Sequence, residues 1–154
     1  MDSVLLENLL RCIALPACSN YIVIAADEYD LVSFNTYPIL IAANTGKRSS
    51  PGYHWYAIII ELYGGRVDIE VFDPLGKPLS DYTVNIPLAP TTENRVKIQS
   101  DNSDKCGEFV LMFFYYKLQG YTTDQFISLF SKDNFDLNDY IASKFALKLK
   151  RSCF

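Results

Sequence analysis

A cysteine followed by glycine, Cys106-Gly107, separates a polar stretch, Gln99 to Lys105, from an apolar one, Val110 to Tyr116. That apolar run is too long to lie in a loop, so it predicts a buried helix from Cys106 to about Leu118. A cysteine at a helix N-terminus faces unpaired backbone N–H groups and the positive end of the helix dipole. Both stabilise a thiolate, the form that attacks acyl carbons. Gly107 leaves room for another chain to approach the sulfur. A buried structural cysteine is the alternative, and position alone does not choose between them. The only histidine in the chain, His54, bears on the choice.

His54 opens a strand-like run, Trp55 to Leu62, and Gly64-Gly65 is a hairpin signal. From Arg66 to Phe72 the chain returns, with Val67, Ile69 and Val71 alternating against Arg66, Asp68 and Glu70. His54 then lies about ten residues before the turn and Asp73 about eight after it, at the same edge of an antiparallel pair. An Asp there accepts from one imidazole nitrogen and leaves the other for a thiol. A lone histidine is more often structural; one paired by hairpin register with a carboxylate, beside a helix-capping cysteine, points to catalysis.

The remaining elements must hold these groups. Ser3 is read as the cap of a first helix with Leu5, Leu6, Leu9 and Leu10 on one face. Tyr21 to Ala26 reads as a short strand, and Asp27-Glu28-Tyr29-Asp30 as a solvated acidic turn. Tyr37 to Ala43 reads as a buried strand, and Asn44 to Gly52 as a mobile loop. An edge strand is expected around Val84 to Leu88 and a brief one from Arg95 to Ile98. Past the Cys106 helix, one helix starts at Thr122 or Thr123 and runs to about Phe130, and a last one covers Asp133 to about Ala146. The final residues alternate Phe145, Leu147 and Leu149 against Lys144, Lys148 and Lys150, a strand-like period.

Composition narrows the class. The length suits a single domain, and 49% apolar residues suit a packed globule rather than a disordered chain. A net charge of −4 argues against broad nucleic-acid binding. The segment from Lys144 to Phe154 holds four basic and no acidic residues, which leaves −8 on the remainder. No membrane span and no signal peptide are expected. Four cysteines without a CxxC pair, and one histidine, make a zinc site improbable. A reducing compartment with Cys106 as a free thiol is the default expectation.

The ordered set His54-Trp55, Asp73-Pro74-Leu75-Gly76, Gln99 and Cys106-Gly107 resembles the adenovirus protease (adenain) family of cysteine endopeptidases. The SUMO and ubiquitin-like proteases are its wider relatives. Upstream, Ile41-Ala42-Ala43-Asn44-Thr45-Gly46 and Ser50-Pro51-Gly52-Tyr53 also look like the family's approach to the histidine. The resemblance covers about residues 37 to 115 and implies an α+β papain-like cysteine protease fold of the adenain and SUMO-protease type. That fold has a central mixed sheet, flanking helices and the nucleophile at a helix N-terminus, in one domain spanning 1–154.

Carried over by residue, the resemblance makes Cys106 the nucleophile, His54 the general base and Asp73 the orienting acid, where adenoviral members typically have Glu. Gln99 becomes the oxyanion-hole amide. Asn44, Trp55 and Gly107 become substrate-binding candidates, although Asn44 suits a turn role and Trp55 a packing role equally well. No metal or required cofactor is implied. The implied substrates are viral precursor proteins cut at Gly-containing sites during maturation, in the host nucleus and virion, by a monomer that nucleic acid could assist. The alternatives are a deubiquitinase or SUMO-like isopeptidase, and an inactive binding module. Adenoviral relatives are activated by a short basic peptide that adds as a strand and ends in Cys-Phe. The ending Lys150-Arg151-Ser152-Cys153-Phe154 therefore suggests a built-in activating strand over 144–154, with Cys12 or Cys18 as possible disulfide partners of Cys153.

Overall fold

The computed structural model describes residues 1–17, 19–29, 37–49, 53–82 and 89–154. A five-stranded mixed sheet runs in the order β1 (Asn20–Ile24), β2 (Ile39–Asn44), β3 (Trp55–Tyr63), β4 (Arg66–Phe72) and β5 (Thr92–Glu93). The outer pairs are parallel, β1 with β2 and β4 with β5, while β2, β3 and β4 are antiparallel. Tyr63 pairs with Arg66 across Gly64 and Gly65, at φ +56° and +81°. Two successive positive φ values are what a tight hairpin with the sheet's own twist demands, and glycine supplies them.

Four helices flank the sheet: α1 (Ser3–Ala14), α2 (Cys106–Leu118), α3 (Thr123–Ile127) and α4 (Phe135–Cys153). Eight of the thirteen residues of α2 are buried, because a helix apolar on every side belongs inside. It packs on the face of the sheet that carries Leu40, Ala42, Ala57, Ile59 and Phe72. There Phe72 stacks on Phe113 with ring centroids 4.4 Å apart, and Phe126 meets it edge-on at 5.4 Å. The opposite face holds a second core of Tyr56, Ile58, Ile60, Ile69 and Val71, closed by Tyr29 and Leu79. With a buried layer on both faces, the central strands are apolar on both sides rather than alternating.

Several expectations are corrected. Residues 144–154 form no strand: α4 is helical from Phe135 to Cys153, longer than the helix expected to end near Ala146. Its inward residues Asn138, Ala142, Phe145, Ala146, Leu149 and Cys153 follow the helical period, and Leu147 is 42% exposed. The strand-like alternation existed only within a window too short to separate the two periods. Asp2, not Ser3, caps α1, accepting from the Leu5 N–H at 2.9 Å. The short fifth strand is Thr92–Glu93 rather than Arg95 to Ile98. The expected edge strand from Val84 to Leu88 lies outside the described residues, as do Cys18 and residues 50–52 of the loop after Asn44. Among the described residues, no helix is long and apolar enough to cross a membrane. Cys153 pairs with Cys12, joining α4 to α1.

Candidate active site

The hairpin delivers His54 and Asp73 to one end of the sheet, one residue before β3 and one after β4. His54 Nε2 lies 2.7 Å from Asp73 Oδ1. Asp73 is 1% exposed, so its charge requires partners. Oδ1 also accepts from the Leu75 N–H at 2.9 Å, and Oδ2 accepts from the Tyr82 hydroxyl. An ionised Asp73 accepts, so Nε2 carries the proton and Nδ1 is left for the sulfur. Cys106, the first residue of α2, is buried, and its side chain interacts with the imidazole and favours its charged form.

Burial works against a charge on His54. The hydrogen bond and charge of Asp73, with the interaction of Cys106, outweigh it and push the imidazole from 6.5 up to about 9. Because the folded value is raised, the pair's contribution to stability is complete below 6.5 and is lost as pH rises through about 9. Unfolding free energy should therefore decline over this window, and the decline should shrink in Asp73→Asn. Chemical denaturation of both proteins across the window measures it; identical slopes would show that the pair contributes nothing.

The turn after Asp73 is built against the segment that leads to Gln99. The Ile98 and Gln99 N–H groups both donate to the Pro74 carbonyl, at 2.9 and 3.0 Å. Gly76, at φ +71°, lies so close to this segment that a Cβ would come within 2.8 Å of the Lys97 nitrogen. Asn94 bridges the same two segments: its Oδ1 accepts from the Asp73 N–H at 2.7 Å, and its Nδ2 donates to the Asp73 and Val96 carbonyls. Residues 95–98 are thus bonded to the Asp73 turn instead of forming a ladder. Gln99, 2% exposed, donates through Nε2 to the Ser103 carbonyl at 2.9 Å. The side chain is fixed in the loop that enters α2, with one amide hydrogen left over. Asp101 and Asp104, in the same loop, are exposed and pair with Lys97 and Lys105.

A cleft of about 430 Å³ opens beside Cys106, lined also by Met1, Asn44, Arg48, Tyr53 and Trp55. Asn44 is 4% exposed, and its Oδ1 accepts from the Gly46 and Tyr53 N–H groups at 2.7 and 3.2 Å. This orients its Nδ2, which has no protein partner among the described residues. Asn44 therefore holds the turn, and it also lines the cleft. Trp55 donates from Nε1 to the Met1 carbonyl at 3.0 Å, fastening Met1 beside Cys106 in the cleft wall. The space over Gly107 is taken by Met1 and Trp55, where a Cβ would sit 3.0 Å from Met1 Cβ. Gly107 is thus needed for that packing. The acidic turn is not a freely solvated loop either: Asp27 accepts from the Arg48 N–H and Glu28 pairs with the Arg48 guanidinium, bracing the cleft wall.

Tyr82, Asn94 and Asn138 were not anticipated as supports of the site. Asn138 is fully buried on α4 and donates to the Ile98 carbonyl at 3.0 Å, just ahead of Gln99. No spacing in the sequence signals these residues, since their partners are mostly backbone groups brought near by folding.

No family model matches this sequence, and no curated protein matches it. Among solved structures the chain is similar to "AvrA delL154 with IP6, CoA", at 15% identity and a TM-score of 0.47. The match covers 76% of this chain and 50% of that one, so the chain spans about half the length of the structure it matches. The architecture is mixed α+β, a five-stranded sheet with flanking helices among the described residues.

Proposed function

We propose that the chain is a cysteine endopeptidase. The observation that carries this reading is the His54–Asp73 bond at 2.7 Å, with Cys106 at the start of α2 interacting with the same imidazole. The Cys106 thiol gives its proton to His54 Nδ1, and the sulfur attacks the scissile carbonyl carbon, whose π electrons move onto oxygen as a tetrahedral oxyanion. His54 then protonates the leaving amine, and the C–N bond breaks to give an acyl-enzyme thioester. Water, deprotonated by His54, releases the acid and the free thiol. The free amide hydrogen of Gln99 and the Cys106 backbone N–H are the donors proposed for the oxyanion. Asn44 Nδ2 is proposed to hold a main-chain carbonyl of the substrate.

The resemblance to adenain supports the finer reading: viral precursor proteins cut beside glycine during maturation, in the nucleus and virion, by a monomer needing no metal or cofactor. The role proposed for nucleic acid is assistance only, given the acidic net charge. Because 144–154 is helical, activation by an added strand from this segment is withdrawn. The alternative, a deubiquitinase or SUMO-like isopeptidase, would use the same three residues.

Fluorogenic peptides with glycine before the cut, compared with ubiquitin- and SUMO-based probes, test the reading. Turnover of the peptides alone supports the endopeptidase, reaction with the probes supports the isopeptidase, and inertness to both defeats the proposal. In the active assay, Gln99→Ala should lower kcat by about 10²–10³-fold with little change in KM. Retention of full kcat would remove Gln99 from the oxyanion site.

A further inference from the structure

We infer that Tyr82 is a positioning residue for the catalytic pair, its hydroxyl fixing the second oxygen of Asp73 and through it the orientation of His54. The inference rests on the reading of His54, Asp73 and Cys106 as the catalytic group.

Asp73 is almost wholly buried, and its two oxygens are served unequally. Oδ1 has the imidazole and the Leu75 N–H, whereas Oδ2 has the Tyr82 hydroxyl as its partner among the described residues. A buried carboxylate oxygen left bare is costly, and the carboxylate can relieve that cost by rotating. Rotation would carry Oδ1 away from His54. The Tyr82 hydroxyl therefore opposes the one movement that breaks the His54–Asp73 bond.

The ring that carries this hydroxyl is itself fixed. Tyr82 stacks on Tyr56, with centroids 5.4 Å apart and planes 17° from parallel, and it lies tilted against His54 at 5.8 Å. Tyr56 in turn shares a hydroxyl hydrogen bond with Tyr29 in the second core. The backbone is pinned by the 3₁₀ turn Leu79–Asp81, where the Tyr82 N–H donates to the Leu79 carbonyl at 3.0 Å. Burial and the neighbouring Asp73 hold the Tyr82 hydroxyl protonated far above its ordinary range, so it remains a donor wherever His54 titrates. The titratable groups facing His54 are Asp73, Cys106 and Tyr82.

Tyr82→Phe keeps the ring and its stacking and deletes only the donor. His54 is the single histidine, so its imidazole signals in the NMR spectrum of the intact chain are unambiguous. In Tyr82→Phe the His54 midpoint should fall from about 9 toward 6.5 by about half a unit or more. In the peptide assay kcat should fall roughly tenfold with KM unchanged, part of the about 10²–10⁴ that a placed acid–base supplies. Tyr56→Phe, which loses the bond to Tyr29 but none to Asp73, is the control and should leave the midpoint in place. An unchanged or raised midpoint in a folded Tyr82→Phe protein would overturn the inference and reduce Tyr82 to packing. The NMR measurement needs no substrate: a lowered midpoint in a protein that cuts no peptide would uphold the positioning role and defeat only the peptidase reading.

Discussion

Cys106→Ala is expected to abolish peptide cleavage, lowering kcat by about 10⁴-fold or more, while the domain stays folded. The sulfur is the atom proposed to attack, and Ser103 is not free to replace it: its Oγ accepts from the Lys105 N–H at 3.1 Å within the loop that enters α2. Folding should survive because the change removes one atom at the first turn of α2, whereas the anchors of that helix are Phe109, Phe113 and Phe114. His54→Ala should be about as damaging, and the double variant scarcely worse than either single one, since nucleophile and base act as a unit. Progress curves at high enzyme concentration, with circular dichroism to show the fold, decide the matter. Losses that simply multiply would mean that the two residues work separately.

The largest expected loss of stability comes from Asn138→Ala. Asn138 Oδ1 accepts from the Ser131 N–H at 2.8 Å, while Nδ2 donates to the Ser131 carbonyl at 2.8 Å and the Ile98 carbonyl at 3.0 Å. Truncation strands the buried Ile98 carbonyl and two partly buried Ser131 backbone groups, which should cost roughly 3–5 kcal/mol. It also frees Ile98, the residue before Gln99, so the oxyanion donor should lose precision. Urea unfolding measures the first effect, and kcat of the folded fraction the second. A change below about 1 kcal/mol would mean that water replaces the side chain without penalty.

The hairpin that sets His54 against Asp73 was legible because strands repeat every two residues and a Gly-Gly turn fixes the count. Cys106 to Leu118 was legible because an apolar run of that length fits only a buried helix, and the start of α3 was legible to within Thr122 or Thr123, of which Thr122 is the cap, accepting from the Gln125 N–H at 3.1 Å. The supports were not legible. Asn94 and Asn138 grip backbone groups far away in sequence, and polar residues of this kind look the same in any loop or helix surface. The last turns of α4, past Ala146, were missed for another reason: basic residues interrupt the apolar stripe, and Leu147 points outward, so these turns mimic alternation. The pairing of Cys153 was open between two cysteines, and only the docking of α4 against α1 settles it.

The Cys12–Cys153 bond has a topological consequence. It closes a covalent ring that contains every strand and the helices α2, α3 and nearly all of α4. One backbone cut anywhere between these cysteines linearises the ring without splitting the molecule, and both ends remain tied through sulfur. Closure over 141 residues also withholds roughly 5 kcal/mol of chain entropy from the unfolded state. The sulfur chemistry then makes opposite demands: Cys106 attacks only as a reduced thiol, while the ring persists only where thiols are scarce. A strong reductant that protects the nucleophile also opens the ring, so the two sulfur sites bound the redox range in which this fold and its proposed chemistry coexist.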